Sequence, residues 1–235
     1  MLSKTTSLLL ALSSLAQAAP RNLAERQTTP PSGLSLTAQL TLADNAVARY
    51  NLLKDDSDFI FDWNNPNSAP TADRSSFPAL VGTGIAMTVA EVPPCSVASV
   101  HIHPRASEIL VVTSGRLISE MVTELGVVKA DGDPRLIHLE LSKNQTTVFP
   151  MGTIHGQMNP DCAPASLVAG FNSEDPGTAI AALDFFSMSD EFVVDALGES
   201  VDAEEVKRIR GAISRSFVFQ VQECKKKCGS GDVAA

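Results

Sequence analysis

Two clusters of residues in this chain could together hold a transition-metal ion. The first reads His101-Ile-His103-Pro-Arg-Ala-Ser-Glu108, the second Phe149-Pro150-Met-Gly152-Thr-Ile-His155-Gly-Gln157-Met-Asn159. Side chains alternate faces along an extended segment, so His101 and His103 project to the same side. Pro104 ends that segment. The chain restarts at Glu108, which shares a face with Leu110 and Val112, and its carboxylate therefore turns inward beside the imidazoles. The Pro150/Gly152 turn delivers a further imidazole, His155, onto another strand. His101, His103, Glu108 and His155 thus offer three neutral nitrogens and one carboxylate. That set suits Mn2+ or Fe2+ and leaves about two positions of an octahedron open to substrate or dioxygen. Because imidazoles ligate only when unprotonated, release of the ion is expected below about pH 6. His138 is different. In Leu136-Ile-His-Leu-Glu-Leu141 it lies opposite Ile137, Leu139 and Leu141, which places it on a solvated face.

The elements that must position these donors are short. From Leu80 onward, β-rich runs alternate with turn residues, Asp131-Gly-Asp-Pro134 being the clearest turn, and this pattern predicts an all-β sandwich or small barrel. Ahead of it, Leu36, Leu40, Ala43, Val47 and Tyr50 stand near helical spacing and predict a helix over 36–53; residues 58–63 alternate weakly and read as an edge strand; residues 64–76 read as a loop. Behind it the period changes. Ser189-Asp-Glu caps a helix with Phe192, Val193, Ala196 and Leu197 on one face and Gly198 as its stop. Asp202-Ala-Glu-Glu205 is a capping box for a second helix, with Val206, Ile209, Ile213 and Phe217 along one side.

With these motifs in hand, the chain resembles the cupin superfamily, and within it the germins and spherulin-like proteins. The family's first motif, G-x5-H-x-H-x(3,4)-E-x6-G, is filled by His101, His103, Glu108 and Gly115, with Cys95 in place of the opening glycine. The second, G-x5-P-x-G-x2-H-x3-N, is filled by Pro150, Gly152, His155 and Asn159, with Asn144 in place of the opening glycine. The runs 103–108 and 171–177 look specifically germin-like. The resemblance implies a cupin jelly-roll β-barrel with a short N-terminal helical segment and a helical C-terminal extension. The organisation expected is 1–18 signal peptide, 19–55 leader and N-terminal helix, 56–186 cupin domain and 187–235 helical extension.

The resemblance also bears on activity. It implies a manganese-dependent oxidoreductase acting on oxalate or superoxide. The alternatives are a non-catalytic wall, spore or stress protein of the spherulin kind, and a metal-dependent tailoring enzyme acting on a larger organic substrate. Plant oxalate oxidases carry two pocket asparagines whose positions here are Thr88 and Ala98, so a bound dicarboxylate is expected to be less well oriented. Gln157 and Asn159 remain as candidate pocket donors. Germins commonly have Phe after the second-motif histidine; Gly156 stands here and is expected to open space near the metal. A small-molecule ligand and a homo-oligomer are the partners the resemblance implies.

Composition sets the compartment and excludes other partners. A chain of 235 residues, 44% hydrophobic, can bury a full core, and its formal charge of −9 argues against nucleic acid or an anionic membrane. Lys4, the apolar run 8–15 and Ala16-Gln-Ala18 form an export signal cleaved after Ala18, too short to span a bilayer. The protein is therefore expected outside the cell or in its wall. Four cysteines suit two disulfides in that oxidising space. If the His101 and His155 strands are antiparallel neighbours, Cys95 falls opposite Cys162, leaving Cys224 to pair with Cys228 across an i, i+4 spacing. Asn144-Gln-Thr146 is an N-glycosylation acceptor.

Overall fold

The computed structural model describes residues 33–229. The expected export signal at 1–18 lies outside them. Among the described residues, eleven strands form two antiparallel sheets. They are β1 Thr71–Ala72, β2 Ala86–Val92, β3 Ser96–Ile102, β4 Glu108–Ser114, β5 Arg116–Val122, β6 Leu136–Ser142, β7 Thr146–Phe149, β8 Ile154–Asn159, β9 Ala165–Phe171, β10 Ala179–Ile180 and β11 Val218–Gln220. One sheet has the order β1-β2-β9-β4-β7 and the other β10-β3-β8-β5-β6, with β11 also added to β3. Together they make the expected jelly roll.

Alternation builds the core. In β4 the inward Glu108, Leu110 and Val112 are buried while Ile109 is open to solvent, and β9 repeats the pattern with Ala165, Leu167, Ala169 and Phe171 inward. Leu117, Met121 and Leu141 meet them from the opposite sheet. The turn between β4 and β5 depends on Gly115: at φ +72, a Cβ there would lie 2.9 Å from the Ala165 Cα. The turn at 131–134 forms as expected, with Gly132 at φ +89 and a bridge joining Val128 to Pro134.

The flanks depart from expectation in three places. The helix expected over 36–53 is two helices, α1 Leu36–Leu42 and α2 Ala46–Leu52, because Ala43 turns extended and the Asn45 side chain caps a new start by accepting from Ala48 N–H. Residues 58–63 form no edge strand. Asp56–Phe59 is a 3-10 turn, closed by reciprocal capping between Asp55 and Asp58, after which Phe61 packs on Trp63 and Phe77. After the barrel come α3 Ala181–Phe186, α4 Asp190–Ala196 and α5 Ala203–Ala212, the last two capped by Ser189 and Asp202 as read from sequence. Val193 and Val206 are completely buried. Helix α5 ends at Ala212, so Phe217 belongs to the extended segment leading into β11 and not to the apolar side of α5.

The disulfides also connect differently. Cys95 bonds Cys224 and Cys162 bonds Cys228. Cys95 does approach the loop that holds Cys162, but its N–H donates to Asp161 O at 3.1 Å, and helix α6 Gln222–Lys227 lies over both cysteines. The i, i+4 spacing that puts Cys224 on the same helical face as Cys228 aims both thiols at the barrel, where each finds its own partner.

Candidate metal centre

The four expected donors converge. His101 lies in β3, His103 just beyond its end, Glu108 at the start of β4 in the opposite sheet, and His155 in β8. All four are buried, and their ligating atoms lie within 4.8 Å of one another. His101 pairs directly with His155 in the β3–β8 ladder. His101 Nε2 is 3.2 Å from His103 Nε2, while Glu108 Oε2 is 3.0 Å from His103 Nε2 and 3.1 Å from His155 Nε2.

Each imidazole is aimed by its other nitrogen. Nδ1 of His101 donates to Ser99 O at 2.6 Å, that of His103 to Gly177 O at 2.6 Å, and that of His155 to Thr153 O at 3.0 Å. With Nδ1–H committed to a carbonyl, which accepts only, a neutral ring carries its lone pair on Nε2. Three such lone pairs and a carboxylate then face one point. Without a cation they can be reconciled only by added protons, so the donor set fits a divalent metal. The rings are also held sideways: Phe217 lies 4.8 Å from His101, Phe171 lies 4.7 Å from His103, and Phe149 stacks at 4.2 Å on His155.

The site's electrostatics follow from burial. Burial, reinforced by the neighbouring His155, pushes His101 down to about 4. Burial alone would raise the Glu108 carboxyl, but its close contacts with the His103 and His155 rings outweigh it and hold the group at about 2. The carboxylate is therefore charged, and His101 stays neutral to well below the ordinary histidine value of 6.5.

The two germin-like runs prove to be partners. Arg105 donates through Nε to Asp175 O at 2.9 Å and through Nη2 to Asp175 Oδ1 at 2.7 Å, while Ser107 N–H donates to Asn172 Oδ1 at 2.8 Å. This stitching holds the loop after β9 so that Gly177 O meets His103. The carbonyls of Ser99, Thr153 and Gly177 and the three phenylalanines were missed by sequence reasoning. Two of the carbonyls lie two residues before their histidine, which is a usable local signal; Phe217 had none.

The remaining candidates divide. Thr88 points inward, and its hydroxyl is paired with Thr71 Oγ1 at 2.7 Å. Ala98 is buried beside Gln157 in the β3–β8 ladder. Gln157 lies on the same face as His155 and is buried, and its Nε2 has no hydrogen-bond partner among the described residues. Asn159 serves the fold: its amide donates to Val92 O, Pro93 O and Ala163 O, and its Oδ1 accepts from Asp161 N–H. Gly156 faces away from the metal centre. It lines an outer groove of about 330 Å3 with Val100, Glu120, His138 and Met158, where a Cβ would press on Ala98 O and Val100 Cγ2 at 3.3 Å. His138 is solvated as expected, 2.8 Å from Glu120.

A family model described as cupin matches residues 52–206. The chain belongs to the cupin family. It is 32% identical to Spherulin-1A of Physarum polycephalum over 209 residues, 84% of this chain and 80% of that protein. It is also 32% identical to germin-like protein subfamily 2 member 3 of Arabidopsis thaliana, over 60% of this chain and 61% of that one. Among solved structures it is similar to an oxalate oxidase, with a TM-score of 0.58 and 26% identity over 68% of this chain and 82% of the enzyme. The two positions where this cupin replaces the motif's opening glycine keep the glycine backbone: Cys95 stands at φ +53 and Asn144 at φ +67. Asparagine tolerates that region. Cys95 is held there by its disulfide and by Val221 N–H, which donates to its carbonyl at 2.6 Å.

Proposed function

We propose that this cupin is an exported, manganese-binding germin-like protein that oxidises a small dicarboxylate of the oxalate type with dioxygen. The observation that carries the reading is the convergence of His101, His103, Glu108 and His155, each imidazole aimed by a carbonyl on its far nitrogen. When bound, manganese supplies open positions for substrate and a centre through which electrons pass. The chain's own residues do the rest. Gln157 Nε2, buried and without a hydrogen-bond partner among the described residues, is a donor for a substrate carboxylate oxygen. Phe149 and Phe171, both buried, pack against His155 and His103 and exclude water, and Phe217 packs edge-on against His101. For oxalate the carbon–carbon bond breaks, and two electrons with two protons pass to dioxygen, giving two carbon dioxide molecules and hydrogen peroxide. The likeness to an oxalate oxidase supports the reading.

Export is supported by the signal-like N-terminus and by two disulfides tying the barrel to its tail. Asn144 is exposed at the turn between β6 and β7, open to glycosylation. Self-association is supported by Met87, Ile109 and Val148, apolar residues open on the outer face of the first sheet.

One specific observation favours a second reading, a non-catalytic cupin in which the ion stabilises the barrel. Thr88 Oγ1 is occupied by Thr71 and Ala98 offers no donor, which leaves Gln157 to orient a substrate alone. A larger organic substrate loses part of its support, since Gly156 faces outward. The deciding experiment is oxygen uptake with oxalate by protein of verified manganese content. Uptake with peroxide release, abolished in Glu108→Ala and shifted to a KM about tenfold higher in Gln157→Leu, supports the oxidase. No uptake at full occupancy leaves the structural reading.

A further inference from the structure

We infer that the C-terminal strap, residues 214–228, is a positioning element of the metal centre that acts on His101 through Phe217. The inference rests on the metal reading above. For His103 and His155 both supports, the phenylalanine ring and the carbonyl on Nδ1, come from the barrel and its adjoining loops: Phe171 with Gly177, and Phe149 with Thr153. For His101 the ring comes from the strap, as Phe217.

The carbonyl of Ser99 is held by the strap as well. Ser99 sits in the irregularity where β3 slips register against β8, between Ala98 and His101. A residue in such a bulge is left out of the ladder and its peptide needs another anchor. Here Ser99 N–H donates to Phe217 O at 2.7 Å and its hydroxyl to Ser216 O at 3.2 Å. The Ser99 carbonyl then accepts from His101 Nδ1 at 2.6 Å. Strap, bulge and ligand form one continuous chain of contacts.

The strap cannot be expected to hold itself. Strand β11 is three residues long and all three are exposed, too little surface to offset the entropy of ordering the segment. The two disulfides supply what packing does not. Cys95–Cys224 and Cys162–Cys228 fasten α6 to the barrel just beyond β11, and Val221 N–H adds a bond to Cys95 O. Closing the chain at these points keeps β11 and Phe217 beside β3. The cysteines thereby serve the metal centre without touching it.

The test is a titration of cobalt(II), as a coloured probe of the site, into four metal-free proteins: the native chain, Phe217→Ala, Phe217→Tyr, and Cys95→Ser combined with Cys224→Ser. Visible absorption, dissociation constant and thermal unfolding without metal are measured for each. The inference expects stoichiometric binding by the native protein, a dissociation constant roughly tenfold higher and an altered spectrum in Phe217→Ala and in the double variant, and near-native values in Phe217→Tyr. Native affinity and spectrum in both weakened variants, with only the unfolding temperature lowered, would make the strap merely structural and overturn the inference while leaving the metal reading intact. Failure of the native protein to take up cobalt would remove both. Should Phe217→Ala not fold, the double variant against the native chain decides the same question.

Discussion

Two histidine–glutamate pairs occupy opposite faces of the β3-β8-β5-β6 sheet. His155 meets Glu108 on the inner face at 3.1 Å, with side chains 1% and 5% exposed, while His138 meets Glu120 on the outer face at 2.8 Å, with side chains 49% and 52% exposed. By distance alone the outer pair is the closer one. What separates them is everything around the contact. The inner imidazole is fixed by Thr153 O on one side and by the Phe149 ring on another, and two more imidazoles face the same carboxylate region. The outer pair is a cross-strand neighbour contact bathed in water. Chemistry belongs to the convergence and orientation of donors, and a short His–Glu distance by itself signals neither.

Acid should break the inner site first. The direction follows from proton uptake: His101 is held at about 4 against an ordinary value of 6.5, so between these values the unfolded chain binds the proton that the folded one refuses. Stability of the metal-free protein should therefore fall as pH drops from 6.5 toward 4, by on the order of 3 kcal/mol. Glu108, ordinarily near 4.5 and held at about 2, extends the loss in the same direction between those values. Urea unfolding of metal-free protein at pH 7, 5 and 4 reads this directly, and a flat profile would mean that His101 is not held neutral by its burial.

The outer pair sharpens the contrast from the other side. His138→Ala should leave metal content unchanged and alter stability by only about 0.2–1 kcal/mol, the range of a solvated ion pair. Metal loss in that variant would show that the two faces of the sheet are coupled in a way the geometry does not provide.

The same contrast explains what was legible in the sequence. The four donors were readable because the alternation of a strand fixes facing over two residues and because the Pro150/Gly152 turn sets the approach of His155. The caps at Ser189 and Asp202 were readable for a similar reason, as each acts within three residues. The strand expected at 58–63 failed where a local reciprocal cap, Asp55 with Asp58, overrode weak alternation. The direction of Gly156 follows from the alternation that sends His155 inward, and the expectation that it opened the metal site ran against that rule. The disulfide partners were out of reach. They depend on where α6 comes to rest over the barrel, a contact across 129 residues for Cys95 with Cys224. Phe217 was out of reach for the same reason: its partner, His101, is more than a hundred positions away, and the strand that brings them together is only three residues long.

The central claim is that the inner histidines and Glu108 hold one metal ion per chain. The most direct measurement is the manganese content of the native protein against His101→Ala combined with His103→Ala, after equilibration with the ion and removal of excess. The account predicts about one ion per native chain and less than about a tenth of that in the double variant, with folding of both confirmed by circular dichroism. Equal metal in the two proteins, or none in the native one, would contradict it.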